Sequence, residues 1–401
     1  MAHISFEESM ELVNKNLPTK IRTKKVGLEE SLGYVLANDI ITKYNNPSHP
    51  TASMDGYAIK HSDIDKNLKI IGSNPAGSFE FDSLNDGEAI KTFTGSFMPK
   101  GSDTLIPFEN VEVDGDMLKV ITKVNKNFSV REIGEDFKKD EVVIKKGTKI
   151  SFSEIGVMAS LNLPIVEVID PAKIAIIATG SEILDLGEDG NKAQIHSSNN
   201  YTLSALSKSF GYTTTNIGLV KDNKQEIKNK ILSALEVNDI VVTTGGVSVG
   251  DFDFVKDIAG EFEVIFHGVN IKPGQWVMIA KVGEKYIISL PGFPYSSFVT
   301  FLLYVVPFGD KISGFNSLYK LKAKLRDNFK KVNPKTQFVA VNLSFENGEF
   351  VVDIRGKKSG SSGILTNLIN NYALMKLDVG FYELPKGSEV EIIIYNKDFF
   401  K

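Results

Sequence analysis

Apolar positions change their spacing along this chain, and each change marks a new kind of element. Residues 5–16, with Met10, Leu12 and Val13 as candidate apolar positions, predict an amphipathic helix. A mixed region follows to about residue 45, where Asn45-Asn-Pro-Ser-His-Pro50 punctuates the chain as a loop. From there to about residue 140 the apolar runs are short: Tyr57-Ala-Ile, Leu68-Lys-Ile-Ile, Thr104-Leu-Ile and Met117-Leu-Lys-Val-Ile. Turns such as Asn85-Asp-Gly87 and Asp114-Gly-Asp116 separate them, which predicts a small β-rich domain inserted into a neighbouring layer.

Residues 172–312 have a different rhythm. Lys173-Ile-Ala-Ile-Ile-Ala178 is continuously apolar, as in a strand covered on both faces. A helix is predicted from about Asn199 to Phe210, ended by Gly211, and a second strand from Tyr212 to Val220. Asp222 offers an N-cap with Gln225 three residues on, and Ile227, Ile231, Leu232 and Leu235 give the following helix one apolar face. Asp239 to Thr244 reads as the third strand, and Tyr295 to Val305 as a further helix. Such alternation predicts a parallel α/β sheet, whose ligands bind beyond the carboxyl ends of the strands. After about residue 317 short strands return, with a hairpin at Asn347-Gly348 between Val339–Phe345 and Phe350–Ile354, closed by Val390–Ile394.

Composition narrows the picture. A chain of 401 residues exceeds one ordinary core, so two to four domains are expected. The 42% apolar and 24% charged fractions are those of a soluble globular protein, and the formal charge of −4 argues against a broad nucleic-acid-binding face. With no cysteine, disulfides, thiolate metal sites and cysteine nucleophiles are excluded. The start, Met1-Ala-His-Ile-Ser-Phe-Glu-Glu, lacks the basic and apolar regions of a signal peptide, and the most apolar run, Phe298–Val306, is half a membrane span. No membrane association and a cytoplasmic location are the expectations.

The candidate chemistry gathers at one rim of the α/β sheet. Asp239-Ile-Val-Val-Thr-Thr-Gly-Gly-Val-Ser-Val-Gly-Asp-Phe-Asp253 reads as strand, glycine-rich turn and helix start. Backbone N–H groups at Gly245, Gly246, Val247, Ser248 and Gly250 can cradle an anion, with Asp251 and Asp253 beside it for a bridging divalent cation. Asp251 stands where a P-loop needs lysine, so a Walker ATPase is rejected. Thr179-Gly180-Ser181-Glu182 follows the first strand and Asp222 the second, so all three segments meet the same edge. The plainer alternatives are a tight turn for the glycines, helix capping for Asp222 and a solvated loop acid for Glu182. Lys272 in Ile271-Lys-Pro-Gly274 is an anion ligand or an exposed cation. Pro291, Gly292 and Pro294 of Leu290-Pro-Gly-Phe-Pro294 fix a loop that either faces the ligand or simply starts a helix. In the insert, Asp55, Thr94, Arg131 and Asp136 are candidates for a second polar wall or are isolated loop residues. The five histidines lack metal-ligand spacing, no GxSxG elbow is present, and Trp276 reads as a packed side chain.

Taken together, Ser53-Met-Asp-Gly-Tyr-Ala58, Thr94-Gly-x4-Lys-Gly101, Arg131-x2-Gly-Glu-Asp136, Thr179-Gly-Ser-Glu182, Thr244-Gly-Gly-Val-Ser-Val-Gly250, Ile271-Lys-Pro-Gly274 and Leu290-Pro-Gly292 resemble the MoeA-type molybdopterin molybdenumtransferases and the related C-terminal domain of gephyrin. The resemblance spans almost the whole chain. It implies an elongated N-terminal domain (1–45 with 141–171), the β-rich insert (46–140), a molybdopterin-binding α/β domain (172–317) and a C-terminal β-barrel (318–401). It further implies an elongated homodimer, with the site between the α/β domain of one subunit and the insert of the other.

The implied activity is transfer of molybdate onto adenylated molybdopterin, releasing AMP, with Mg²⁺ held by Glu182 and Asp222. Thr179, Gly180, Ser181, the glycine turn, Asp253, Pro291, Gly292, Pro294 and Ser362 would then bind cofactor. Asp55, Thr94, Arg131, Asp136, Glu182, Asp222 and Lys272 would be catalytic. Molybdopterin adenylyltransferase and cofactor-accepting enzymes are the implied partners. Three positions depart from the pattern: Gly268 in place of a second lysine, Gln275 in place of a basic residue, and Phe293 in place of asparagine. One cation and one amide are thereby missing from the anticipated oxyanion site. The alternatives are a molybdopterin adenylyltransferase, whose single domain resembles residues 172–312, and a gephyrin-like scaffold.

Overall fold

Residues 3–78, 83–247, 254–331, 333–358 and 361–400 are described in the computed structural model, and their contacts separate into two units. One unit comprises residues 38–148 and 153–164; the other comprises 1–37, 149–152 and 165–401.

Alternation along single strands explains the core of the larger unit. Ile174, Ile176, Ile240 and Val242 pack into one cluster with the helical segment from Pro294 to Ser313. Ala175, Ile177 and Val241 pack into another with Ile227, Ile231 and Leu235 of the Lys224–Val237 helix. Each strand is therefore covered on both faces, which is why its sequence is apolar without a break. Full burial of each isoleucine or valine contributes on the order of 1.5–3 kcal/mol.

The sheet has six strands in the order Thr213–Val220, Lys173–Thr179, Ile240–Thr244, Lys285–Leu290, Met278–Val282, Glu263–His267. The first four run parallel, as the strand–helix alternation predicts. Met278–Val282 runs against both its neighbours, so the sheet is mixed at that edge. The N-terminal helix is Phe6–Lys15, capped where the Ser5 hydroxyl accepts the Glu8 N–H at 3.0 Å. It buries Phe6, Ser9 and Val13, with Met10 and Leu12 partly buried against the same core.

The C-terminal strands close into a five-stranded barrel. Thr336–Glu346 pairs with Glu349–Asp353 and Ala373–Leu377, and Tyr319–Leu325 and Glu389–Ile394 complete the ring. The Asn347-Gly348 turn has positive φ at both residues, 52° and 83°, the geometry a two-residue hairpin demands. The barrel and the α/β sheet are stitched together where Ile271–Lys272 pairs in parallel with Thr336–Gln337.

The smaller unit is built on a second six-stranded sheet. Its order is Thr104–Pro107, Gly56–Ile59, Glu88–Thr92, Asn67–Asn74, Met117–Val120, Val111–Asp114. Tyr57, Ile59, Leu68, Ala89, Ile106 and Leu118 form its core.

Candidate active site

The four parallel strands end at one rim, and hydrogen bonds lock the loops that leave it. The Gly180 N–H donates to the Val220 carbonyl at 3.3 Å, and the Gly245 N–H to the Leu290 carbonyl at 3.1 Å. The buried Thr179 hydroxyl donates to the Thr244 carbonyl at 3.2 Å. Thr179–Glu182, Asp222, Gly245–Val247 and Pro291–Pro294 are thus brought together, as the sequence pattern suggests. Ser248, Gly250, Asp251 and Asp253 lie outside the described residues.

Gly245 and Gly246 are required by their surroundings. Both have positive φ, 90° and 64°. A β-carbon on Gly245 would meet the Thr179 carbonyl oxygen at 2.7 Å, and one on Gly246 would meet Val255 at 3.0 Å. The Val247 carbonyl accepts from His267 Nε2 at 2.9 Å, so the proton of that ring sits on Nε2. His267 was not singled out by the sequence pattern, because it lies 20 residues beyond the turn it supports.

Asp222 does not cap the next helix. Asn223 is the cap, its side chain accepting the Glu226 N–H at 3.0 Å, and the helix begins at Lys224. Asp222 Oδ2 instead accepts the Ser181 N–H at 2.8 Å, and the Asp222 N–H donates to Ser181 Oγ at 3.1 Å. Glu182, next to Ser181, is exposed, and its carboxylate has no hydrogen bond or ion pair among the described residues. The described residues contain no cluster of three or more acids and histidines. The Glu182 and Asp222 carboxylates are a donor set of the kind that suits a cation keeping waters and substrate oxygens, as Mg²⁺ does with one or two carboxylates.

Beside the rim lies a pocket of about 340 Å³ that includes Lys272, Gln275, Pro291, Phe293, Ser296 and Ser362. The loop before the helix is held from both sides. Asn199 Nδ2 donates to the Gly292 carbonyl at 2.7 Å, and the Tyr295 N–H donates to the Ser362 carbonyl at 3.0 Å. Pro294 opens the helix with Phe293 as its cap, and the Phe293 side chain is 62% exposed. Trp276 is partly buried against the core, between His3 and His267.

In the smaller unit Asp55 and Thr94 are in direct contact. Asp55 Oδ1 accepts both the backbone N–H and the hydroxyl of Thr94, each at 2.8 Å. These bonds, the backbone one first, hold the Asp55 carboxyl below its ordinary pKa. The Ser53 N–H donates to the Ser129 carbonyl at 3.0 Å, and Thr51–Ala52 pairs with Val130–Arg131, with Arg131 opposite Thr51. Arg131 is engaged by Glu135 at 2.8 Å, and Asp136 accepts from Asn46 Nδ2 at 2.9 Å. Gly56 must be glycine, since a β-carbon would meet the Ile106 carbonyl at 2.2 Å.

Comparison with known proteins agrees with this layout. Residues 4–162 match the MoeA N-terminal region (domain I and II), 175–311 a probable molybdopterin binding domain, and 322–395 the MoeA C-terminal region (domain IV). The chain belongs to the MoeA family. A molybdopterin molybdenumtransferase of Staphylococcus aureus (strain COL) is 33% identical over 388 residues, covering 93% of this chain and 91% of the relative. One from Staphylococcus epidermidis (strain RP62A) is 29% identical over 410 residues, covering 99% and 97%. A crystal structure of a molybdopterin biosynthesis MoeA protein from Pyrococcus horikoshii superposes with a TM-score of 0.85 at 28% identity, covering 98% of this chain and 100% of that one. This MoeA-family chain is thus a transferase of molybdenum cofactor biosynthesis. None of its described helices is long and apolar enough to cross a membrane.

Proposed function

We propose that this chain transfers molybdate onto adenylated molybdopterin and releases AMP in an Mg²⁺-dependent reaction. The observation that carries the proposal is the Ser181–Asp222 clasp, set beside a glycine turn at the end of a parallel sheet. Such a turn presents backbone N–H groups to phosphate, and the loops around it are fixed before substrate arrives. Glu182 and Asp222 would hold Mg²⁺, which when bound offsets charge on the phosphates. Lys272, in its pocket next to Phe293 and Ser362, attracts the oxyanion. Asp55, kept ionised by Thr94, acts in the same reaction, as do Arg131 and Asp136.

A homodimer, a cytoplasmic location and hand-over to cofactor-accepting enzymes belong to the same proposal. The four-part domain division implied by the family resemblance does too. The test is turnover of purified chain with adenylated molybdopterin, molybdate and Mg²⁺. Release of AMP with formation of molybdenum cofactor supports it. Release of pyrophosphate from ATP and non-adenylated molybdopterin would instead mark an adenylyltransferase.

A further inference from the structure

Two loops of the rim meet through a buried amide that the sequence pattern passes over. Asn199 opens the helix Asn199–Ser209 and is 7% exposed. Its Nδ2 donates to the Gly292 carbonyl at 2.7 Å. The Ser297 hydroxyl is shared between the Pro294 carbonyl at 3.0 Å and Asn199 Oδ1 at 3.3 Å. The amide thus grips both ends of the Gly292–Ser297 turn. Its orientation follows from these partners, since a flipped amide would set oxygen against the Gly292 carbonyl.

The turn so held lies against the glycine turn of the third strand. A β-carbon built on Gly292 comes within 3.7 Å of the Gly245 Cα. The Gly245 N–H is committed to the Leu290 carbonyl at 3.1 Å, which couples the two turns.

On its other side Asn199 is tied to the loop of Glu182. Ile183–Leu184 pairs in parallel with Ile195–His196. The Ile195 N–H donates to the Glu182 carbonyl at 3.1 Å, and the Ser197 N–H to the Leu184 carbonyl at 2.8 Å. The chain leaving that ribbon runs directly into Asn199.

We propose that Asn199 is a positioning residue of the transferase site. Its amide sets the spacing between the Gly245-Gly246 turn, which receives phosphate, and the loop that carries Glu182. Asn199 itself touches no substrate. The inference rests on the transferase reading of this rim. An uncharged donor is needed at the position: a carboxylate would face the Gly292 carbonyl, and a methyl group would leave that carbonyl without this partner.

Turnover per folded molecule of full-chain variants tests it, with a thermal melt to show that each is folded. Asn199→Ala should lower kcat for AMP release ~tenfold or more, because small displacements of reacting groups are costly. Ser204→Ala removes a buried hydroxyl of the same helix that has no hydrogen-bond partner among the described residues. It should stay within ~twofold. Asn199→Asp gives the sharper readout. Its carboxylate repels the Gly292 carbonyl, whereas the protonated form donates to it as the amide does. Activity of Asn199→Asp relative to wild type should therefore rise as pH falls from roughly 8 to 5.5, while the ratio for Asn199→Ala stays flat. Hydrogen exchange supplies a readout apart from activity. The Ser297 and Gly245 amides should exchange ~tenfold faster in Asn199→Ala.

Wild-type turnover by folded Asn199→Ala overturns the proposal, as does unchanged exchange at both amides. The same pH dependence in both Asn199 variants overturns it too. No AMP release by the wild type would instead remove the transferase reading, and the exchange rates would still decide whether Asn199 holds the two turns together.

Discussion

Asp222 and Ser181 hold each other across two loops, each backbone N–H donating to the other's side chain, at 2.8 and 3.1 Å. The pair fixes one face of the Asp222 carboxylate through Oδ2, and Oδ1 has no hydrogen bond among the described residues. Ser181→Ala keeps the backbone N–H that Asp222 accepts, so kcat/KM should fall less than ~tenfold. Asp222→Asn removes the charge and should cost ~100-fold or more. Steady-state kinetics at saturating Mg²⁺ separate the two.

Gly245→Ala should destabilise the protein and its rim. The added methyl group meets the Thr179 carbonyl at 2.7 Å, on a backbone with φ 90°. A cost of about 2–3 kcal/mol is expected, from left-handed strain plus the clash. Denaturant unfolding of the variant measures it.

Thr94 sets the ionisation of Asp55. Two hydrogen bonds from Thr94 lower the Asp55 pKa, so its carboxylate persists to more acidic pH than a free aspartate. Thr94→Val keeps the backbone N–H and loses the hydroxyl, so the pKa should rise part of the way back towards 3.8. An NMR titration of the carboxyl carbon reads this directly. Under the proposed function Asp55→Ala should also lower kcat/KM by ~tenfold or more.

The foot of the sheet carries an acid-sensitive pair. Burial opposes the charge on Asp239, but Arg22, through two guanidinium hydrogen bonds, and the Lys173 N–H at 2.8 Å hold its pKa below 3.8. With the folded value depressed, the stabilisation is fully present above the unfolded pKa. It is lost as pH falls through the folded one. Asp239→Asn should cost about 1–3 kcal/mol at neutral pH, because Arg22 loses the nearer of its two carboxylate partners, Asp170 remaining at 3.7 Å. The gap between wild type and variant should close below pH ~3.8, in unfolding curves recorded across pH.

Much of this was legible in the sequence, for identifiable reasons. The apolar run at Lys173–Ala178 and the Asn347-Gly348 turn each have one low-energy solution, and the chain adopts it. Asp222 was misplaced by one residue, because Asp and Asn cap equally well and only the helix register selects Asn223. The antiparallel strands Glu263–His267 and Met278–Val282 are short and lack a clean alternation, so no pattern announced them. Asn199, His267, Asn46 and Lys335 reach their partners through tertiary folding across 20 to 93 residues. Local spacing carries no trace of such contacts.

The most direct test of the account is AMP release from adenylated molybdopterin with molybdate and Mg²⁺, comparing the wild type with folded Asp222→Ala. The wild type should release AMP in step with cofactor formation, and the variant should fall at least ~100-fold. Equal AMP release by the variant, or none by the wild type, would contradict the account.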